Sequence, residues 1–215
     1  MDGTGFLFEP LLPLISATKD VITFPSSGVQ TYESIYAEIK KRIPIEAFYI
    51  LAESFSGPLA ARLASENLEQ MKGIIFVATF LTCPSKNLVR IAQNFPIKTL
   101  IKFPLASAFI RKFLLGEKFP LELFYRAIAS VSERELKARL VALEGLQESG
   151  NNIYSHIPTL YLRAENDLLV SKKHVNEFVA GFPNITVRNV PGTHFLLQSN
   201  PQACAEHINN FLGVE

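Results

Sequence analysis

Two hydrophobic rhythms alternate along this chain. Short runs that are apolar at nearly every position are separated by stretches in which apolar residues recur every three or four places. Val21 to Phe24, Phe48 to Ala52, Gly73 to Ala78 and Thr159 to Ala164 are runs of the first kind and read as buried strands, with a further strand at Ile185 to Val190. Tyr32, Ile35, Tyr36, Ile39 and Ile43 fall on one face of a helix. Gly57 to Asn67 is an alanine- and leucine-rich helix, and helices near Lys172 to Ala180 and from Pro201 to Leu212 complete the pattern. Buried strands alternating with helices imply parallel pairing, because parallel neighbours need a crossover between them. The expected fold class is α/β, a mostly parallel sheet with helices on both faces.

The alternation stops near Thr79 and resumes at Thr159. Between them Leu88 to Gln93, Thr99 to Leu115, Leu121 to Val131 and Glu133 to Gln147 read as helices, broken at Pro96, Pro104, Gly116 and Pro120. The expected organisation is a core of residues 1–78 and 157–215 carrying a helical insertion, residues 79–156.

Composition narrows the function classes. With 48% hydrophobic and 19% charged residues the chain has material for a sizeable core and lacks the signature of disorder. Lysine and arginine total 21 against 20 acidic residues, and no basic cluster is interleaved with aromatics, so nucleic acid is not an expected partner. No apolar run approaches the roughly 20 residues of a membrane span. Asp2 stands where a secretion signal carries positive charge, and Glu9, Pro10 and Pro13 interrupt the apolar stretch behind it, so the expected location is cytoplasmic. Cys83 and Cys204 are far apart, and Cys204 shares a helix stripe with Ile208, Phe211 and Leu212, as a core thiol would. Neither metal-ligand spacing nor a phosphate-cradling glycine loop is present, so no metal and no cofactor is expected.

The candidate chemistry sits in Leu51-Ala52-Glu53-Ser54-Phe55-Ser56-Gly57. A serine at a sharp strand-to-helix turn needs small residues two places to either side, because larger ones collide there. Ala52 and Ser56 meet that steric need without the usual glycines. A serine capping the next helix is the plain alternative. Two residues further along the chain favour catalysis. Asp167 lies in the loop after the Thr159 strand, and His194 comes after the Ile185 strand in Pro191-Gly192-Thr193-His194-Phe195. Serine, acid and histidine in that order can form a relay in which His194 takes the proton of Ser54 and Asp167 fixes the imidazole. Glu165, directly adjoining the strand, is the weaker candidate for the acid. His156, His174 and His207 lack such a setting and read as solvated or structural.

On these segments, together with Asp2-Gly3-Thr4-Gly5, Tyr161 to Val170 and Pro191 to Gln198, the sequence resembles the α/β-hydrolase superfamily, in particular its small bacterial esterase-like members. The resemblance implies an acyl-enzyme on Ser54 and a backbone oxyanion hole, with one donor at Phe55 and the second at Met1 or Asp2. It implies that the insertion forms a cap. Phe95, Phe103, Phe109 and Phe113 are then candidates for a substrate-binding wall, while most cap phenylalanines simply pack the helices together. It also implies a central strand ahead of Asp2-Gly3-Thr4-Gly5, where this sequence has only Met1. Buried backbone groups without partners cost about 1–3 kcal/mol each. The expectation is therefore a sheet missing its first central strand, and a complete protein longer by roughly 20–30 residues, a strand and its lead-in.

The implied function is cleavage of a carboxylic ester or thioester of a small, apolar acyl group. A non-catalytic binder of a small apolar ligand on the same fold is the competing reading, and a protein-interaction module using the apolar cap has only composition behind it.

Overall fold

In the computed structural model, residues 1–116, 118–147 and 153–214 are described, Leu100 and Phe113 by their backbone alone. The elements run α1 (Tyr32–Lys40), β1 (Phe48–Glu53), α2 (Gly57–Ala64), β2 (Met71–Val77), α3 (Lys86–Asn94), α4 (Ile97–Leu100), α5 (Pro104–Phe109), α6 (Leu121–Ala129), α7 (Glu133–Glu144), β3 (Thr159–Ala164), α8 (Lys172–Gly181), β4 (Ile185–Val190), α9 (Leu196–Ser199) and α10 (Pro201–Leu212). The four strands form one parallel sheet in the order β1-β2-β3-β4.

Alternation of side chains along each strand divides the core between the two sheet faces. Ile75, Val77, Leu160 and Leu162 meet Cys204, Ala205 and Ile208 of α10 on one face. Ala52, Ile74, Phe76 and Tyr161 meet α2 and the aromatic pair Phe178 and Phe182 on the other. Helix starts follow from local chemistry. Thr31 and Ser132 each close a reciprocal capping box, with Ser34 and Glu135 respectively, so α1 and α7 begin where orphan backbone donors find side-chain acceptors.

Two expected elements differ. Val21–Phe24 joins no ladder. The Phe24 amide instead donates to the Gly3 carbonyl at 2.8 Å. Gly3 and Gly5 let the amino-terminal loop press against this segment, since a Cβ on either would come within 2.6 Å of Phe24 or Val21. Strand pairing needs a neighbour, and the outer edge of β1 carries none among the described residues. The stretch Thr99 to Leu115 breaks at Pro104 into α4 and α5 as expected, and differs in the wider turn that it makes at Ile110–Leu115. Its break lies before Pro104, where Phe103 takes the extended backbone that a following proline demands.

Among the described residues, the helices α3 to α7 lie between β2 and β3. Ile35, Phe55, Leu59 and Leu63 form a third cluster with Val89 of α3 and Leu140 and Leu143 of α7, so these helices are seated directly over the carboxyl end of β1.

Candidate active site

Ser54 is the first residue beyond β1, and its φ of 50° puts it in the left-handed region. A non-glycine residue there costs on the order of 1–3 kcal/mol and persists only when its surroundings enforce it. The enforcement is visible. The Thr79 hydroxyl donates to the Ser54 carbonyl, and Thr79 is itself gripped by Tyr161, whose hydroxyl accepts from the Thr79 amide at 3.1 Å and donates to its carbonyl at 2.6 Å. Gly57 leaves the room for this contact. A Cβ at that position would lie 2.0 Å from Thr79 Oγ1, so Gly57→Ala is expected to cost about 1–3 kcal/mol as an overpacking change. An unaltered urea midpoint would contradict this account of the turn.

The structure brings Ser54, His194 and Asp167 together. Ser54 Oγ is 2.8 Å from His194 Nε2, and His194 Nδ1 is 2.9 Å from Asp167 Oδ2. The other carboxylate oxygen accepts from the amides of Leu169 and Val170 at 2.8 and 2.9 Å. Burial alone would raise the Asp167 pKa, but these bonds and the imidazole outweigh it and hold the carboxyl below its ordinary value. The side chains of His194 and Asp167 are 5% and 3% exposed, so this polar pair is shielded from water. Glu165, by contrast, is exposed, and His156 lies exposed before β3. His174 takes a structural role, its Nδ1 accepting from the Ser171 amide at the start of α8.

The His194 loop is pinned from outside the sheet, which the sequence did not reveal. The Leu114 carbonyl, in the turn between α5 and α6, accepts from Thr193 Oγ1 at 2.8 Å and from the Phe195 amide at 3.4 Å. Both residues flanking His194 are thereby tied to the segment between β2 and β3.

Glu53 is a second feature that the sequence pattern missed. Gln198 Nε2 donates to its Oε2 at 2.9 Å and to the Leu7 carbonyl at 3.0 Å, while Glu53 Oε1 is buried with no partner. Burial pushes this carboxyl up to about 7, against the opposing pull of the Gln198 bond and of His194. The native state thus holds the proton more tightly than the unfolded chain, where the ordinary value is 4.5. Stability from this group is greatest below about pH 4.5, falls as pH rises to about 7 and is level above that, a difference of roughly 3 kcal/mol. Urea unfolding of Glu53→Gln at pH 5 and pH 8 should show a correspondingly smaller loss of stability than the unaltered chain. An equal loss in both would remove Glu53 as the source.

Of the expected oxyanion donors, Phe55 follows Ser54 with its ring buried against Phe24 and stacked on Tyr32 at 4.6 Å. Met1 and Asp2 line the same cavity as Ser54 and His194. That cavity has a volume of about 1200 Å³, large for a small-molecule site. Its wall is drawn from Ile101, Leu114, Phe124, Ile128 and Leu140 of the segment between β2 and β3, and from Val21, Ile22, Tyr49 and Leu51 beside the edge of β1 that is unpaired among the described residues.

The expected phenylalanine wall is corrected in part. Phe95, Phe103 and Phe109 are 49%, 59% and 53% exposed and are not among the described residues that line the cavity. The side chain of Phe113 lies outside the described residues. Among the described residues no group of three histidine, cysteine or carboxylate side chains converges as a metal site, and no helix is long and apolar enough to cross a membrane.

No protein-family model matches the chain. A stretch of 58 residues is 36% identical to a haloalkane dehalogenase from Mycolicibacterium smegmatis, spanning 27% of this chain and only 19% of that relative. Among solved structures, a hydrolase from Oleispira antarctica superposes with a TM-score of 0.80 at 12% identity, covering 100% of this chain and 89% of the other. A bromoperoxidase from Bacillus anthracis superposes with a TM-score of 0.74 at 13% identity, covering 97% and 87%. The chain has the α/β-hydrolase fold. Its sheet has four parallel strands, with one edge of β1 unpaired among the described residues.

Proposed function

We propose that this chain is a serine hydrolase that cleaves a carboxylic ester or thioester of a small, apolar acyl group through an acyl-enzyme on Ser54. One observation carries the reading: the unbroken hydrogen-bonded line Ser54–His194–Asp167 at a strained turn on the wall of an apolar cavity. His194 Nε2 removes the hydroxyl proton as Ser54 Oγ attacks the acyl carbon, and the oxyanion so formed is met by the Phe55 amide and a second main-chain N–H donor, the Met1 terminal nitrogen or the Asp2 amide. The imidazolium returns its proton to the departing alkoxide or thiolate. Water then repeats the sequence and releases the acid, while the helices between β2 and β3 act as the cap.

The nucleophile's chemistry favours acyl transfer over the reaction named for the dehalogenase relative. Displacement of a halide by a serine hydroxyl would leave an alkyl ether, which a histidine-activated water does not cleave, whereas an acyl ester on serine is hydrolysable. A purely ligand-binding protein would have no use for the strain stored at Ser54.

Short-chain p-nitrophenyl esters and their thioester counterparts test the proposal directly, alongside a fluorophosphonate probe. Turnover with stoichiometric labelling of Ser54 is expected. A folded sample that neither turns over ester nor takes the probe would replace this reading with the small-ligand binder.

A further inference from the structure

Arg139, on α7 some 85 residues beyond the nucleophile, is 1% exposed and spends its whole guanidinium on the amino-terminal loop and its support. Its Nη1 donates to the carbonyls of Met1 and Asp2 at 2.9 and 2.6 Å, its Nη2 to the Pro25 carbonyl at 2.9 Å, and its Nε to Gln30 Oε1 at 2.9 Å. Gln30 is itself buried and donates to the Pro25 and Ser27 carbonyls, both at 3.2 Å. Burying an arginine costs several kcal/mol unless such bonds offset it, so a site that retains one has a geometric use for the planar fork.

We infer that Arg139 is a positioning residue for the oxyanion hole, acting through the peptide unit between Met1 and Asp2. In a trans peptide the carbonyl and the following N–H point in opposite directions. Clamping the Met1 carbonyl to Arg139 therefore turns the Asp2 amide away from α7, and Met1, Asp2 and Gly3 all border the cavity that holds Ser54. The two oxyanion donors then come from separate sources. Phe55 is aimed by the strained elbow, and Asp2 by a helix of the cap. The loop touches Phe24 and Val21 through its two glycines, and the guanidinium adds the rigidity that oxyanion stabilisation requires.

This inference rests on the serine-hydrolase reading, and the test separates the two. Arg139→Ala and Arg139→Lys are compared with the unaltered chain for p-nitrophenyl ester turnover, inhibition by an alkyl boronic acid and thermal midpoint. For a folded variant, kcat should fall about 10- to 100-fold, the range of a weakened oxyanion donor. KM should change less than about threefold, and boronate affinity should fall in step with kcat. Added guanidinium ion at millimolar concentration should restore part of the rate of Arg139→Ala, and ammonium should not. The lysine variant, which keeps the charge and loses the fork, should fall between the two and serves if the alanine variant does not fold. Unchanged kcat and boronate affinity in a folded variant would overturn the positioning role while leaving Ser54 as nucleophile. Absence of ester turnover and Ser54 labelling in the unaltered chain would overturn both readings.

Discussion

Replacing Ser54 by alanine should lower p-nitrophenyl ester turnover by about 10⁴-fold or more and abolish fluorophosphonate labelling, with the fold intact. The size follows from the roles assigned. Without Oγ no acyl-enzyme can form, and what remains is the contribution of the oxyanion donors and binding alone. Stability should move differently from activity. The backbone at position 54 is left-handed whatever its side chain, so alanine inherits the strain, whereas Ser54→Gly relieves it. Glycine should therefore be more stable than alanine by about 1 kcal/mol, with both equally inactive. That pairing marks a turn shaped for exposing a nucleophile at a cost in stability. Residual turnover above a few per cent in either variant, with copurifying esterases excluded by labelling, would remove Ser54 from the mechanism.

What could be read from the sequence divides along a physical line. The buried strands β2 and β3 announce themselves because residues such as Ile74, Ile75, Phe76 and Val77 are apolar without alternation, which only a sheet covered on both faces demands, whereas β1, read the same way, has only Ala52 buried. The candidate triad was legible for a related reason. The carboxyl ends of parallel strands all open on one side of the sheet, so chain order after strands is already partial geometry. The preference for Asp167 over Glu165 also followed from loop position, and the structure leaves Glu165 exposed.

Val21–Phe24 failed as a strand although its residues suit one, because pairing is a property of two segments and what lies against it is the amino-terminal loop, whose Gly3 carbonyl takes the Phe24 amide. The phenylalanines failed for a different reason. Which way Phe95, Phe103 or Phe109 points depends on where helices break and turn, and no periodicity survives two prolines and a widened turn. Arg139, Gln198 and Leu114 were invisible because their partners are 137, 145 and 79 residues away, and each acts through a backbone group or an amide that carries no sequence signature.

Asp167→Asn should lower kcat by about 10⁴-fold while leaving the turn and the fold in place. The amide keeps an oxygen to accept from Leu169 and Val170, which are local bonds at 2.8 and 2.9 Å. Its NH₂ then faces His194 Nδ1, and a donor opposite a donor is not tolerated in a pair this shielded. The imidazole responds by carrying its proton on Nε2, 2.8 Å from Ser54 Oγ, where a lone pair is required to accept the serine proton. The base is lost through its tautomer, with no atom moved far. Acid stability should change with it. The Asp167 carboxyl is held below its ordinary value of 3.8, so in the unaltered chain its contribution is present above that pH and is lost as pH falls through the lower native value. The asparagine variant should lose that acid-side slope. Turnover against pH and urea midpoints between pH 2.5 and 6 read the two effects separately. A variant with near-normal kcat would show that His194 takes its orientation from another group, and the buried carboxyl of Glu53 would be the first to examine.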